Sequence, residues 1–296
     1  MTSARKRRLS IYLKLKYLLV LPVIAVLLIF SLYPFLSQIY LSFYSVSIRT
    51  YWEPTFVGFD NYMSQLVNPG YFWRSLGITI LFVVIVVLSE LLLGLGLALL
   101  IHPLSRVTKI ITSLVVMPMF VAPVFVGALG RLAFHSIVGI VPYYFNFIGI
   151  SPPSLTRFFD AFAIVCALDI WQWTPFIFLI VHAGLMSLPQ EITDAAKVDG
   201  AGGWNQFRHI TLPLLRTVLG VAIIFRTMDA FRTFDIPYVL NQGGPGSPVG
   251  GTTTISILIY TMMLHYQKIG DASAIVVVLL IFLNLMIPRI TKYLGI

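Results

Sequence analysis

The chain has 296 residues, of which 58% are hydrophobic and only 10% charged, with a net charge of +9 and a mean hydropathy of +0.91. Because an ordinary soluble domain has about 25% charged residues, the composition excludes most soluble classes, and its hydrophobicity excludes a disordered chain. The single cysteine, Cys166, excludes an intrachain disulfide and a zinc site built on several cysteines.

Six stretches are long and apolar enough to cross a bilayer, which takes about 20 residues of helix. They predict an all-α integral membrane protein of six transmembrane helices. With approximate ends, the stretches cover residues 17–36, 76–101, 110–133, 161–183, 214 to just before 237, and 272–287. Proline residues predict kinks at Pro34, Pro118, Pro123 and Pro175.

The first stretch follows a basic run at residues 5–8 and could be mistaken for a signal peptide. Its apolar region is too long for one, and no small-residue cleavage site follows it. We therefore predict a retained helix, with residues 1–16 as a basic tail and residues 17–296 as a single transmembrane domain.

The distribution of Lys and Arg in the predicted loops gives the orientation. Thirteen of these residues lie on one side of the predicted membrane and five on the other. Because cytoplasmic loops carry the excess of positive charge, both termini are predicted to face the cytoplasm. The positive charges are not gathered on a polar domain, which favours membrane lipid over nucleic acid as a partner.

A carboxylate interrupts the second predicted span at Glu90. Gly94 and Ala98 follow it at intervals of four, on the same helix face. Because small residues at this spacing let two helices approach closely, we interpret the face as a packing surface rather than a gate. The sequence does not identify a polar partner for Glu90.

Motifs for ATP hydrolysis or other catalysis do not occur in the sequence. The dipeptide Gly-Lys is absent, which excludes a G-x-x-x-x-G-K-[ST] phosphate-binding loop. The five histidines do not follow the H-E-x-x-H spacing, and no G-x-S-x-G pattern occurs. We predict no catalytic residue, no metal site and no enzyme activity, so any ATP consumed in transport is hydrolysed by another chain.

A polar loop at about 184–213 separates the fourth and fifth predicted spans. Glu191 and Asp194 place negative charge near the amino end of a short helix, where the helix dipole favours it. Gly200 can end this helix in a left-handed turn, and a second short helix is predicted over 204–210. Since two such helices are too small to be stable alone, we expect a partner to hold them.

The spacing of this loop is specific: Asp194-Ala195-Ala196, three residues, Gly200, nine residues, Ile210, one residue, then Leu212-Pro213. It resembles the loop of binding-protein-dependent ABC importer permeases, where the motif is usually written E-A-A, three, G, nine, I, one, L-P. Asp194 replaces the usual Glu, which keeps the sign of the charge and shortens its reach by one methylene. In that family the loop contacts the ATPase, and the resemblance implies that Asp194 pairs with an ATPase arginine. The residues assigned to this coupling loop are Glu191, Asp194, Ala195, Ala196, Asp199, Gly200, Ala201, Ile210, Leu212 and Pro213.

Further segments resemble the sugar-importing branch of the same family. Residues 56–62 resemble the motif of the first external loop, and residues 169–176 resemble the fourth span. Residues 234–254 include segments similar to the end of the fifth span and the following loop in the first permease of maltose-, trehalose- or glycerol-phosphate-type systems. The resemblance therefore implies the fold of a type I ABC importer permease.

The resemblance also implies a division of labour among several chains in a prokaryotic cell membrane. A second, different permease completes the pathway, an extracytoplasmic sugar-binding protein captures the sugar, and a dimer of ATPase subunits binds ATP and magnesium. This multi-pass chain would itself bind no cofactor. A short loop helix anchored by a charge pair can transmit a rigid-body rotation of the ATPase.

Charged residues continue into the fifth predicted span, where Arg226, Asp229, Arg232 and Asp235 alternate in sign at intervals of three. Each adjacent pair can form an i,i+3 contact. Helix rise places Asp169 of the fourth span near the depth of Arg226. We therefore predict that Asp169 approaches Arg226 or Asp229.

Two compatible interpretations of these charges remain open. One is an ion-pair ladder that orients the helices, and the other is a polar lining that hydrogen-bonds sugar hydroxyls, because charges at membrane depth face a protein interior or a wet cavity. Aromatic faces near polar groups suit sugars, although aromatic residues in spans more often pack or anchor the membrane interface. The candidate pathway residues are Asp169, Trp171, Trp173, Arg226, Asp229, Arg232, Phe234, Asp235, Tyr238 and Asn241.

Two other functions are compatible with the sequence. An ion-coupled secondary transporter would use the carboxylates of the fifth span, but we find no internal repeat of the kind common in that class. A membrane-embedded enzyme is the third hypothesis, and no specific motif favours it.

Overall fold

A computed structural model of the chain describes residues 17–67, 71–102, 108–240 and 252–294. Most of these residues are helical, which confirms the predicted all-α membrane fold. Five helices are long and apolar enough to cross a bilayer, and a bent pair of helices makes six crossings if the pair is one span. In chain order the spans are Tyr17–Leu41, Tyr71–Ile101, the pair Thr108–Phe120 and Pro123–Ala133, Phe158–Met186, Gly203–Leu240, and Ile269–Lys292. The shorter helices are Asp60–Leu66, Ile140–Phe147, Gln190–Val198 and Ile255–Tyr260.

The chain divides into two compact units, and one of the three points of division falls inside the sixth span. One unit comprises Met1–Asn68 and Met262–Leu279, and the other comprises Pro69–Thr261 and Leu280–Ile296. The spans of the second unit carry the charged residues singled out in the sequence.

In the first unit, the loop after the first span doubles back into a small antiparallel hairpin, Tyr44–Ser45 with Thr55–Phe56. The side-chain amide of Asn61 donates to the backbone carbonyls of Ser42 at 2.8 Å and Tyr44 at 2.9 Å. The hydroxyl of Tyr62 lies 2.6 Å from that of Ser42. The motif at residues 56–62 therefore ties the loop back onto the end of the first span.

Two spans contain a π turn next to a proline. These turns cover Leu28–Leu32, two residues before Pro34, and Phe207–Thr211, two residues before Pro213. Because proline has no N–H to donate to the carbonyl four residues earlier, the helix widens there instead of keeping its regular hydrogen bonds. The irregularity predicted at Pro34 takes this form, whereas Pro175 lies inside an uninterrupted helix.

The third predicted span is not one kinked helix, because its two halves meet at 87°. A short 3-10 turn, Met117–Phe120, ends the first half, and Ala122 is extended before the second half begins at Pro123. The residue before a proline avoids the helical conformation, which explains where the break falls. The second half has 11 residues and is about 16 Å long, too short to cross about 30 Å of hydrocarbon alone.

The second and fourth spans pack closely through the face that carries Gly94. A Cβ atom added at Gly94 would lie 2.8 Å from Cγ2 of Ile177 and 2.9 Å from the backbone nitrogen of Phe178. Ala98, one turn further along, is fully buried in the same core. This confirms the predicted close approach of two helices at small residues.

The loop between the fourth and fifth spans begins with the helix Gln190–Val198, as predicted. The predicted second short helix is wrong as a separate element, because Gly203–Gln206 continues through the π turn into Leu212–Phe231. A proline near the amino end is compatible with a continuous helix when the turn before it widens. The fifth span therefore begins earlier than predicted, at Gly203.

Candidate functional site

A single guanidinium, that of Arg226, lies at the centre of a charged cluster within the second unit. Arg226 is 1% exposed and Glu90 is fully buried. The Arg226 Nε donates to Glu90 Oε2 at 2.6 Å, and Nη2 donates to Glu90 Oε1 at 2.9 Å. This bidentate pair joins the second span to the fifth and is the geometry in which a guanidinium binds a carboxylate best.

Two aspartates complete the cluster around Arg226. Nη2 also donates to Asp169 Oδ2 on the fourth span, which confirms the predicted approach of these two residues. Nη1 donates to Asp229 Oδ2 at 3.2 Å, one turn further along the fifth span. Asp169 is buried, whereas the side chain of Asp229 is 41% exposed, so Asp229 forms the accessible edge of the cluster.

The donors of Arg226 are almost fully used. A guanidinium has five N–H groups, and in the described ranges four of them are engaged, by Glu90 twice and by Asp169 and Asp229 once each. The fifth belongs to Nη1 and has no partner among those residues. The ring of Trp173 covers the group, with its centroid 5.4 Å from Cζ of Arg226, in a cation–π contact.

The cluster contains more carboxylates than cations. Glu90 and Asp169 are both buried against the one guanidinium of Arg226, while Asp229 is shared with Arg232 at 3.5 Å. Buried charges are costly unless they are paired, so removing the cation would be far more disruptive than removing one carboxylate. The cluster is rich in hydrogen-bond acceptors.

The charged stripe does not continue as the even ladder expected from the sequence. The helix Leu212–Phe231 ends before Arg232, and Asp235 starts a new helix, Asp235–Leu240. Because the intervening residues are not helical, the three-residue spacing no longer sets a common face. Among the described residues, the ladder contains the pairs 226–229 and 229–232, and no ion pair between Arg232 and Asp235.

The candidate aromatic residues fall in different places. The rings of Phe234 and Tyr238 stack with centroids 4.7 Å apart, and the hydroxyl of Tyr238 donates to that of Tyr260 at 3.1 Å. Trp171 is half-exposed and points away from Trp173, because two residues advance about 200° around a helix. Asn241 lies outside the described residues.

Glu90 and Tyr260 are the residues that the sequence did not assign to this region. An isolated carboxylate in an apolar span signals a buried partner, but the partner of Glu90 is 136 residues away. Tyr260 has no comparable local signal, since an aromatic residue at the end of a short apolar helix is typical of packing.

The coupling loop has a well-defined helix end. Gly200 has a φ of +75°, and the N–H of Ala201 bonds to the carbonyl of Ala196 at 2.9 Å. This is the Schellman pattern, which confirms the predicted left-handed turn. Ala196 is buried, while the charged side chains of Glu191, Asp194 and Asp199 are exposed along the helix. Ala195 and Ile210 also lie in this segment, and Leu212 packs on the core of the adjacent spans.

Known proteins resemble the chain over most of its length. The family described as "Binding-protein-dependent transport system inner membrane component" matches residues 90–295. The chain is 36% identical over 260 residues to the trehalose/maltose transport system permease protein MalF of Thermococcus litoralis, covering 87% of this chain and 85% of that protein. It is 36% identical over 269 residues to the sulfoquinovosyl glycerol transport system permease protein SmoG of Agrobacterium fabrum, covering 90% and 85%.

The fold is also found among solved structures. A chain of a bacterial alginate ABC transporter, solved with an alginate pentasaccharide-bound periplasmic protein, superposes with a TM-score of 0.82 at 22% identity. The superposition covers 94% of this chain and 93% of that one. The matched residues 90–295 span both the Arg226 cluster and the loop helix Gln190–Val198.

Proposed function

The chain belongs to the family of binding-protein-dependent transport system inner membrane components, and on this basis we propose that it is a permease subunit of an ATP-driven sugar importer. Its relatives are named as permeases for trehalose, maltose and sulfoquinovosyl glycerol. In this assignment the chain forms half of the translocation pathway and is not itself an enzyme.

The observation that supports a sugar pathway in this region is the accessible edge of the Arg226 cluster. Asp229 offers a partly exposed carboxylate, and the exposed guanidinium of Arg232 lies 3.5 Å from it. A sugar hydroxyl both donates and accepts a hydrogen bond, so an acceptor beside a donor suits it. Trp173, above the guanidinium of Arg226, adds an aromatic face.

The same cluster also joins three spans, as the ladder interpretation requires. Arg226 of the fifth span contacts Glu90 of the second and Asp169 of the fourth. A paired carboxylate can still accept a hydrogen bond from a solute, so the structural role and the pathway role coexist. We assign the buried pairs of Arg226 mainly to the structural role. Asp229 with Arg232 is assigned mainly to the pathway role.

Coupling to ATP hydrolysis is assigned to the loop helix Gln190–Val198. Its rigid Schellman end at Gly200 and its exposed carboxylate at Asp194 support docking on a separate ATPase. A helix held by a charge pair moves with the partner that holds it. The proposal includes both termini in the cytoplasm, so that this loop faces the ATPase.

The remaining partners follow from the family. A second, different permease would complete the pathway, an ATPase dimer would bind ATP and magnesium, and an extracytoplasmic binding protein would deliver the sugar. The structurally similar alginate transporter was solved with its periplasmic protein bound, which supports a partner of that kind. Sugar identity in this proposal depends largely on that binding protein.

Reconstitution tests the proposal directly. The chain, its partner permease, the ATPase and the binding protein are placed in proteoliposomes, and uptake of labelled trehalose, maltose, lactose and xylose is measured with and without ATP. We expect uptake that requires ATP and every subunit. Uptake by this chain alone, driven by a proton or sodium gradient, would instead support an ion-coupled transporter, and product formation would support an enzyme.

A further inference from the structure

Glu90 accepts more hydrogen bonds from Arg226 than any other described residue does, although it is not among the candidate pathway residues. Both of its oxygens accept hydrogen bonds from the guanidinium, at 2.6 Å and 2.9 Å. Because Glu90 is fully buried, it cannot itself meet a solute in this structure. Arg226 is buried as well, so the influence of Glu90 on a solute must pass through Arg226 to the partly exposed Asp229.

The bidentate contact fixes how the guanidinium is turned. A planar guanidinium held at Nε and Nη2 by one carboxylate has its third nitrogen, Nη1, on the far side. That nitrogen contacts Asp229 and carries the N–H without a partner in the described ranges. Asp169 and Asp229 each contact one nitrogen, so among the described residues Glu90 alone holds the guanidinium by two hydrogen bonds.

We propose that Glu90 is a positioning residue for solute recognition: it orients Arg226 so that Nη1 holds the partly exposed carboxylate of Asp229 toward the solute. This inference rests on the proposed sugar-import function. It assigns to the second span an influence on which sugars pass, even though no residue of that span is among the candidate pathway residues.

The charge balance of the cluster makes the inference testable. Glu90→Gln leaves Asp169 and Arg226 as a one-to-one buried pair, so the substitution strands no charge. Glutamine has the same shape but only one acceptor oxygen, and its NH2 group faces an N–H of the guanidinium. The chain should therefore still assemble, while Arg226 loses its two-point anchor on the second span and holds Asp229 less firmly.

The experiment compares saturating uptake rates for the sugars that the wild-type complex transports, in proteoliposomes with excess binding protein. Glu90→Gln should change the ratio of rates between two sugars by about fivefold, the effect of one hydrogen bond, with the amount of assembled complex unchanged. Glu90→Asp, which keeps the charge, should restore part of the ratio. Asp160→Asn makes the same carboxylate-to-amide change at a half-buried side chain that contacts Arg157 and accepts from the backbone N–H of Ser154. It is the matched control and should leave the ratio as it is.

The outcomes separate this inference from the function on which it rests. If the wild-type complex shows no ATP-dependent uptake of any sugar that its binding protein binds, the proposed function is contradicted. If it transports such sugars and the Glu90 variants lower every rate by the same factor, or leave all rates unchanged, the positioning role is wrong. Loss of assembled complex in Glu90→Gln would also overturn it, since Glu90 would then serve only to join the spans.

Discussion

The side-chain amide of Gln172, in the fourth span, donates to the backbone carbonyl of Val121 at 2.6 Å, at the point where the third span turns by 87°. At such a break the helix supplies no N–H to donate a hydrogen bond to the carbonyl. A buried carbonyl without a donor is costly in an apolar environment. Gln172 is buried and supplies the missing donor. The fourth span therefore stabilises the bent form of the third.

Replacing Gln172 by leucine tests this role. Gln172→Leu should destabilise the chain by about 1–3 kcal/mol, because the carbonyl of Val121 is left buried without a donor. The melting temperature of the purified complex in detergent is the measurement. Thr174→Val is the control, since the Thr174 hydroxyl donates to the carbonyl of Ile170, in its own helix; an equal loss in both variants would contradict the role of Gln172.

The contact between the second and fourth spans predicts a sharp difference between two glycines. Gly94→Ala should cost about 1–3 kcal/mol, because its Cβ would press on Ile177 and on the backbone at Phe178. Gly96→Ala has open space around it and should be neutral or slightly stabilising. Thermal melting and the yield of inserted protein distinguish them, and identical behaviour would show that the helices do not pack at Gly94.

Removing the central cation should be the most disruptive change in the cluster. Arg226→Met leaves Glu90 and Asp169 buried beside each other without a counter-charge, which should cost about 3–5 kcal/mol. Arg157→Met, which removes an exposed guanidinium 3.8 Å from Asp160, should change stability by less than about 0.5 kcal/mol. A stable, fully inserted Arg226→Met chain would refute the buried network.

The loop helix predicts a loss of coupling without a loss of insertion. Asp194→Ala removes the proposed charge anchor, and Gly200→Pro cannot adopt the left-handed φ of +75°. Both should abolish import and lower stimulated ATP hydrolysis in parallel, while membrane insertion is retained. Gly202→Ala, at an ordinary φ of −64° with open space, is the control; unchanged import in Asp194→Ala and Gly200→Pro would exclude the coupling role.

The accessible edge of the cluster predicts altered sugar preference. Asp229→Asn and Arg232→Gln change groups that are 41% and 76% exposed, so each should shift the ratio of uptake rates among sugars by about two- to tenfold. Uptake of trehalose, maltose, lactose and xylose by the reconstituted complex is the assay. An equal loss for every sugar would assign these residues to helix orientation alone.

Several features of the fold could be predicted because their cause is local. A run of about 20 apolar residues is stable in a bilayer only as a helix, which is why the spans were found to within a few residues at most ends. The turn at Gly200 and the break before Pro123 follow from the conformations that glycine and proline allow. The π turns at Pro34 and Pro213 express the same local restriction.

Other expectations failed where the backbone departed from a regular helix. The prediction of a charged ladder from Arg226 to Asp235 assumed one continuous helix. The helix ends at Phe231, so Asp235 does not take part in the ladder. The second loop helix was predicted to be separate, yet it is continuous with the fifth span. Helix ends depend on what the last turn packs against, and residue spacing alone does not contain that information.

The amino-acid sequence by itself determined that this chain lies in a membrane and which of its stretches are long and apolar enough to cross it. Its buried charges also required partners, because a charge in hydrocarbon is costly wherever it lies. Only the tertiary structure decided that Glu90 binds Arg226, 136 positions away, and that Gln172 donates a hydrogen bond to Val121, 51 positions away. Pairing at such separations depends on how the helices are arranged and turned, which no local pattern of residues records.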